Sequence, residues 1–168
     1  MARSWSDFRK TIHVEDVIFD YARSGDLESI QNLDLTLERI DKKNTQGYSP
    51  LMLAAYNGNL EVARYLITKG ANAESADLSG STVLMGAAFK GQLDLVELLL
   101  ASGAKIEARN AKNQTALDFA NMFGRSEVAL LLKSKQHKPL EFGIKDIFSG
   151  WISYFYKRRI FRWQINDS

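Results

Sequence analysis

The chain has two imidazoles, His13 and His137, set far apart in the sequence. Neither has acidic partners at metal-ligand spacing, and a zinc site needs three or four converging ligands. Cysteine is absent, which excludes thiol catalysis, cysteine-based metal sites and a disulfide framework. No Gly-x-x-x-x-Gly-Lys or Gly-x-Gly-x-x-Gly stretch offers its amides to a phosphate. The carboxylates Glu61, Asp94, Glu97 and Glu127 fall at polar positions of helical segments. A solvated helix face explains them more simply than an acid–base pair. The residues that could do chemistry thus define no catalytic, metal or cofactor site, and no enzymatic activity is expected.

The elements that would position any site are set by an internal repeat. Residues 47–74, GYSPLMLAAYNGNLEVARYLITKGANAE, lie 33 positions before residues 80–107, GSTVLMGAAFKGQLDLVELLLASGAKIE. Leu51, Leu84 and Leu117 share this register, as do Ala54, Ala87 and Ala120. So do Gly58, Gly91 and Gly124, and Leu66, Leu99 and Leu132. One period earlier, Ala22, Gly25 and Leu27 match Ala55, Gly58 and Leu60. The chain therefore holds a weak first unit, two full units and a truncated fourth. Each unit reads as two short helices. Ser49 is a candidate N-cap with Pro50 at the first helical position, and Thr82 and Thr115 stand at the repeat spacing from it but lack the proline. Glycine closes the first helix at Gly58, Gly91 or Gly124 and the second at Gly70 or Gly103. Helices this short are not stable alone in water, so stability must come from stacking.

The period, the SPLMLAA, TVLMGAA and TALDFA blocks and the GANAE and GAKIE endings resemble ankyrin repeats. The fold this implies is an all-α ankyrin-repeat solenoid of about four helix-pair units with helical N- and C-terminal extensions. The expected boundaries are an N-terminal extension at 1–13, repeats at 14–43, 44–76, 77–109 and 110–135, and a basic aromatic amphipathic extension at 136–168. The family's Thr-Pro-Leu-His block stands here as Ser49-Pro50-Leu51-Met52, Thr82-Val83-Leu84-Met85 and Thr115-Ala116-Leu117-Asp118. The histidine that ties adjacent loops in the family is absent from all three. The resemblance implies a curved stack whose loops and inner helices bind another protein, as an adaptor or an inhibitor-like binder. It extends also to short bacterial proteins found beside haem catalases, hence to an accessory role for such an enzyme, although no residue here marks a haem ligand.

Composition fits this class. The 168 residues include 45% hydrophobic and 25% charged residues, as in an ordinary globular chain. Residues 1–132 carry 14 basic and 17 acidic side chains, net −3, whereas residues 133–168 carry 8 and 3, net +5. A mildly acidic body with a basic tail suggests that the tail meets an acidic surface or rests on its own body. The N-terminus lacks a signal-peptide pattern and no run of about 18 apolar residues occurs, so cytoplasmic residence is the default expectation.

Register places the binding face. The residues preceding each first-helix glycine are Arg23-Ser24, Tyr56-Asn57, Phe89-Lys90 and Met122-Phe123, with the loop residues Tyr48, Leu78 and Ser81 beside the last three. Tyr56, Phe89 and Met122 recur at the repeat spacing and should line up across successive units as the centre of a partner-binding face. The competing reading makes them half-buried stacking contacts between repeats.

The tail holds the second candidate surface. Leu140, Ile144, Ile147, Phe148, Trp151, Ile152 and Phe155 fall at helical spacing along one face. Lys157, Arg158, Arg159 and Arg162 then interrupt the stripe. The apolar face could form a lid on the truncated fourth repeat, dock on a partner protein, or lie on an anionic membrane surface with Trp151, Tyr154, Tyr156 and Trp163 at headgroup depth. The readings combine if 140–155 caps the stack while 157–163 reaches outward. Nucleic acid is a poor match, because one basic aromatic run beside an acidic body is weak evidence for it. Trp5, Phe8 and Ile12 could cap the opposite end.

Overall fold

The computed structural model describes residues 14–136. The expected N-terminal extension, both histidines and the tail residues Ile147, Phe148, Trp151, Ile152, Phe155, Lys157, Arg158, Arg159 and Arg162 lie outside the described residues. Within them, helices follow in the order α1 (Val14–Ser24), α2 (Leu27–Gln31), α3 (Leu37–Ile40), α4 (Pro50–Asn57), α5 (Leu60–Thr68), α6 (Val83–Lys90), α7 (Leu93–Ala101), α8 (Ala116–Met122) and α9 (Ser126–Gln136). No named strand occurs among the described residues, and the one isolated bridge pairs Ala76 with Thr82.

Local chemistry accounts for the helix ends. Ser49 Oγ accepts from the Met52 amide at 3.2 Å at the start of α4, with Pro50 at its first position. Thr82 and Thr115 cap α6 and α8 the same way, each hydroxyl oxygen accepting at 3.3 Å from the amide three residues on. At the far end of α7, the Ala104 amide donates to the Leu99 carbonyl at 3.0 Å and Gly103 to Leu100 at 3.1 Å. These two bonds wrap the chain around orphan helix carbonyls in a Schellman arrangement. It requires a left-handed residue, and Gly103 has φ +90°.

The loop tips repeat as faithfully as the helices. Asn44, Asp77 and Asn110 each turn a side-chain Oδ1 onto the amides two and four residues ahead, at 2.8 to 3.0 Å. Such side-chain caps supply the loop with the partners that a helix or sheet would otherwise provide. Adjacent loops are then tied directly: the Ala111 amide donates to Ser79 O at 2.9 Å, and Lys43 Nζ donates to Ala76 O at 2.5 Å. Asn110, buried, also donates to Ser81 Oγ at 3.3 Å.

Packing forms two helix layers. α1, α4, α6 and α8 are successive neighbours in one, and α2, α5, α7 and α9 in the other. Ala22, Ala54, Ala55, Ala87, Ala88 and Ala120 are completely buried in the first layer, where small side chains allow close approach of backbones. Leu51, Leu66, Leu84, Leu99 and Leu132 supply the bulk of the core and are all but inaccessible. Each contributes about 1.5–3 kcal/mol by leaving water. Leu117 shares the register of Leu51 and Leu84 but is only half-buried, because no further described repeat packs on α8. Leu130 stands 68% exposed where the preceding units place Arg64 and Glu97.

A long side chain at the start of each second helix reaches back across the repeat boundary. Asn59 Nδ2 donates to the carbonyls of Ala22 at 2.9 Å and Arg23 at 3.0 Å. One period further and one more, Gln92 lies against Gly58 and Arg125 against Gly91. Arg125 Nε donates to Phe89 O at 3.0 Å. The Asn59 and Arg125 bonds satisfy carbonyls left open at the ends of the first helices.

Candidate functional site

The first helices end side by side, and their last turns bring together an aromatic row. The Tyr56 and Phe89 rings stack with centroids 5.7 Å apart and planes 10° from parallel. Phe123 meets Phe89 edge-on at 4.4 Å and 82°, and Phe119 lies 6.5 Å from Phe123. Both arrangements suit the ring quadrupole. Met122, at the register position of Tyr56 and Phe89, does not take the third place in the row. It is 62% exposed, and its sulfur accepts from Gln114 Nε2 at 3.5 Å. The reason is local: α8 stops at Met122, with Phe123 as C-cap, whereas Asn57 and Lys90 still belong to α4 and α6.

Beside the row lies a cleft of about 360 Å³, lined by Tyr48, Met52, Leu53, Tyr56, Asp77, Ser81, Thr82, Met85, Gly86, Phe89 and Phe119. Its floor has a simple origin. Leu53, Gly86 and Phe119 occupy one register position of three successive first helices, and the middle one has no side chain. A Cβ on Gly86 would meet only Tyr56 Cδ2, at 3.9 Å. Gly86 is helical, so the glycine leaves space without being required by the backbone.

On the loop side of the cleft, Asp77, Ser81 and Thr82 hydrogen-bond within the protein. Asp77 Oδ1 accepts from Ser79 N, Ser79 Oγ and Ser81 N at 2.8, 2.7 and 2.9 Å. Ser81 Oγ lies 2.9 Å from Ser79 Oγ. Where the family resemblance leads one to expect histidine, Met85 Sδ accepts from the Thr82 amide at 3.3 Å, and Asp118 Oδ2 accepts from Thr115 N and Oγ1 at 2.8 Å each. The bonds from the Thr115 amide and then its hydroxyl hold the Asp118 carboxyl below the usual aspartate range, against a small opposing effect of burial.

Charge is unevenly placed. Among α4, α6 and α8 the charged residues are Lys90 and Asp118. Lys90 Nζ lies over the Tyr56 ring, 4.4 Å from its centroid, and 5.8 Å from that of Phe89. Glu61, Asp94, Glu97 and Glu127 are exposed on the second helices. Among the described residues no cluster of His, Asp and Glu could hold a metal ion. No described helix is long and apolar enough to cross a membrane.

Of the remaining sequence-derived positions, Tyr48 is half-buried in the cleft wall and Leu78 is 80% exposed on a loop tip. Asn57 is exposed but committed to its own helix, Nδ2 donating to Leu53 O at 2.8 Å. Phe123 is 44% and Tyr56 42% exposed. Gly86, Phe119 and Arg125 carry no local signal of a site in the sequence, and Met52 and Met85 stand out there only as replacements of the family's histidine. The signal that could have found them is the repeat register itself, in which glycine at 86 breaks a run of large side chains.

Residues 18–110, more than half of the chain, match the family model described as ankyrin repeats in three copies. Helix pairs, the repeat register and this match agree, and the chain belongs to the ankyrin repeat family. Repeats of this family generally mediate protein–protein interaction and are typically non-enzymatic.

Proposed function

We propose that the chain is a non-catalytic binding module, an adaptor or inhibitor-like binder, that engages another protein through the face formed by its first helices and loop tips. The observation that carries this reading is the aromatic row Tyr56, Phe89 and Phe123. It spans three successive units, keeps Tyr56 and Phe123 open to solvent, and borders a cleft. Rigid aromatic side chains bury much area for little lost entropy, the usual chemistry of an interface centre. The test is a pull-down with the full chain as bait, compared with Tyr56→Ala, Phe89→Ala, Met122→Ala and Phe123→Ala. Loss of the recovered partner with Tyr56→Ala and Phe89→Ala, at unchanged circular dichroism, supports the reading. A partner retained by all four single variants sinks it.

A further inference from the structure

We infer that the cleft over Gly86 seats a bulky apolar side chain of a partner protein segment, and that a carboxylate close to it in that segment meets Lys90. The inference rests on reading the first-helix face as the binding face, and it names the chemistry of what binds there.

Shape and polarity select the apolar group. The floor is open because Gly86 stands where the flanking units carry Leu53 and Phe119, and the walls are Met52, Met85, Tyr56, Phe89 and Phe119. A volume of about 360 Å³ is at the lower end of ligand-sized pockets and suits one large side chain with its neighbouring backbone. Two methionines in the wall let it adapt to the shape of an aromatic or branched occupant. The polar residues on the loop side, Asp77, Ser81 and Thr82, already hydrogen-bond within the protein. The lining is otherwise apolar, and a polar group buried against it would lose its water without gaining a partner.

Charge selects the neighbour. Lys90 has no carboxylate within ion-pair distance among the described residues, and its ammonium lies over the Tyr56 wall of the cleft instead. Arg125 adds a second cation at the same helix end, its Nε bound to Phe89 O. The acidic residues Glu61, Asp94, Glu97 and Glu127 belong to the other helix layer. Asp77 is the one carboxylate lining the cleft, and its Oδ1 is taken up by three donors of its own loop. Lys90 and Arg125 thus put two cations at the helix end beside the cleft, and that end complements an acidic segment.

The test is to pan the full chain against a phage-displayed random dodecapeptide library and titrate a recovered peptide by fluorescence anisotropy. The expected peptides place Leu, Met, Phe or Trp beside Asp or Glu. Gly86→Leu, which fills the floor, should weaken binding at least about tenfold. Lys90→Glu should weaken it about three- to tenfold at low salt, and a peptide with lysine in place of its acid should regain affinity for that variant. Circular dichroism melts check that each variant folds; if Gly86→Leu does not, the Lys90→Glu charge swap decides. Peptides lost on Tyr56→Ala and Phe89→Ala but lacking an acidic residue, or unaffected by Gly86→Leu, overturn this inference and leave the first-helix face as the binding face. Peptides indifferent to all these substitutions overturn both readings, and recovery of no peptide overturns this one.

Discussion

Alanine at Gly91 and alanine at Gly103 impose the same backbone cost and different steric ones. Both glycines are left-handed, with φ +78° and +90°, and an L-residue there costs about 1–2 kcal/mol. At Gly103 the added Cβ meets nothing within 4 Å, so that cost is the whole effect. At Gly91 the Cβ would stand 2.8 Å from Arg125 Cδ, and the arginine must move off. Doing so breaks its 3.0 Å bond to Phe89 O across the repeat boundary, a further loss of about 0.5–1.5 kcal/mol. Gly91→Ala should therefore exceed Gly103→Ala by about 0.5–1.5 kcal/mol. Urea unfolding followed by far-UV circular dichroism reads this as a midpoint gap of about 0.3–1 M, for a slope near 1.5 kcal/mol/M. In an Arg125→Ala background the gap should close, because the contact is already gone. A gap that survives that background, or one absent from the wild type, would refute the claim that Arg125 ties the last two units together.

Gly86→Ala should stabilise the fold by about 0.5–1 kcal/mol, since it relieves a helix-interior glycine and its Cβ finds open space; a lowered melting temperature would mean that the cleft floor is not open. Leu99→Ala, fully buried between units, should cost about 2–5 kcal/mol in urea unfolding. Asp118→Ala should destabilise by about 1 kcal/mol at neutral pH through loss of the two Thr115 bonds to its carboxylate, the reciprocal half of the α8 capping box. Because the native carboxyl titrates below its unfolded value, the wild type holds this advantage above about pH 4 and loses it as pH falls through the native pKa. The gap between wild type and Asp118→Ala should therefore narrow in acid and stay constant from about pH 5 to 8; a gap that widens in acid would contradict the assignment.

Much of the fold could be read along the chain because a repeat states the same local physics several times. Leu51, Leu84 and Leu117 in register, caps at Ser49, Thr82 and Thr115, and the glycines Gly58, Gly70, Gly91, Gly103 and Gly124 define the helix pairs through rules that reach only a few residues. The side-chain caps at Asn44, Asp77 and Asn110 obey the same spacing and were equally available to inspection. What lay beyond the sequence were the meetings between units. Nothing local says that Phe123, not Met122, reaches Phe89; that depends on where α8 ends and how closely it lies beside α6. Nor does a glycine within a helix announce a cleft. Gly86 becomes a floor only when stacking sets Leu53 on one side and Phe119 on the other. The carboxylates of the second helices and the cation at Lys90 are plain in the sequence, but their separation into two layers is not. Short-range hydrogen bonds and helical period determined the units. Packing between units, which joins residues 33 positions apart, decided the site.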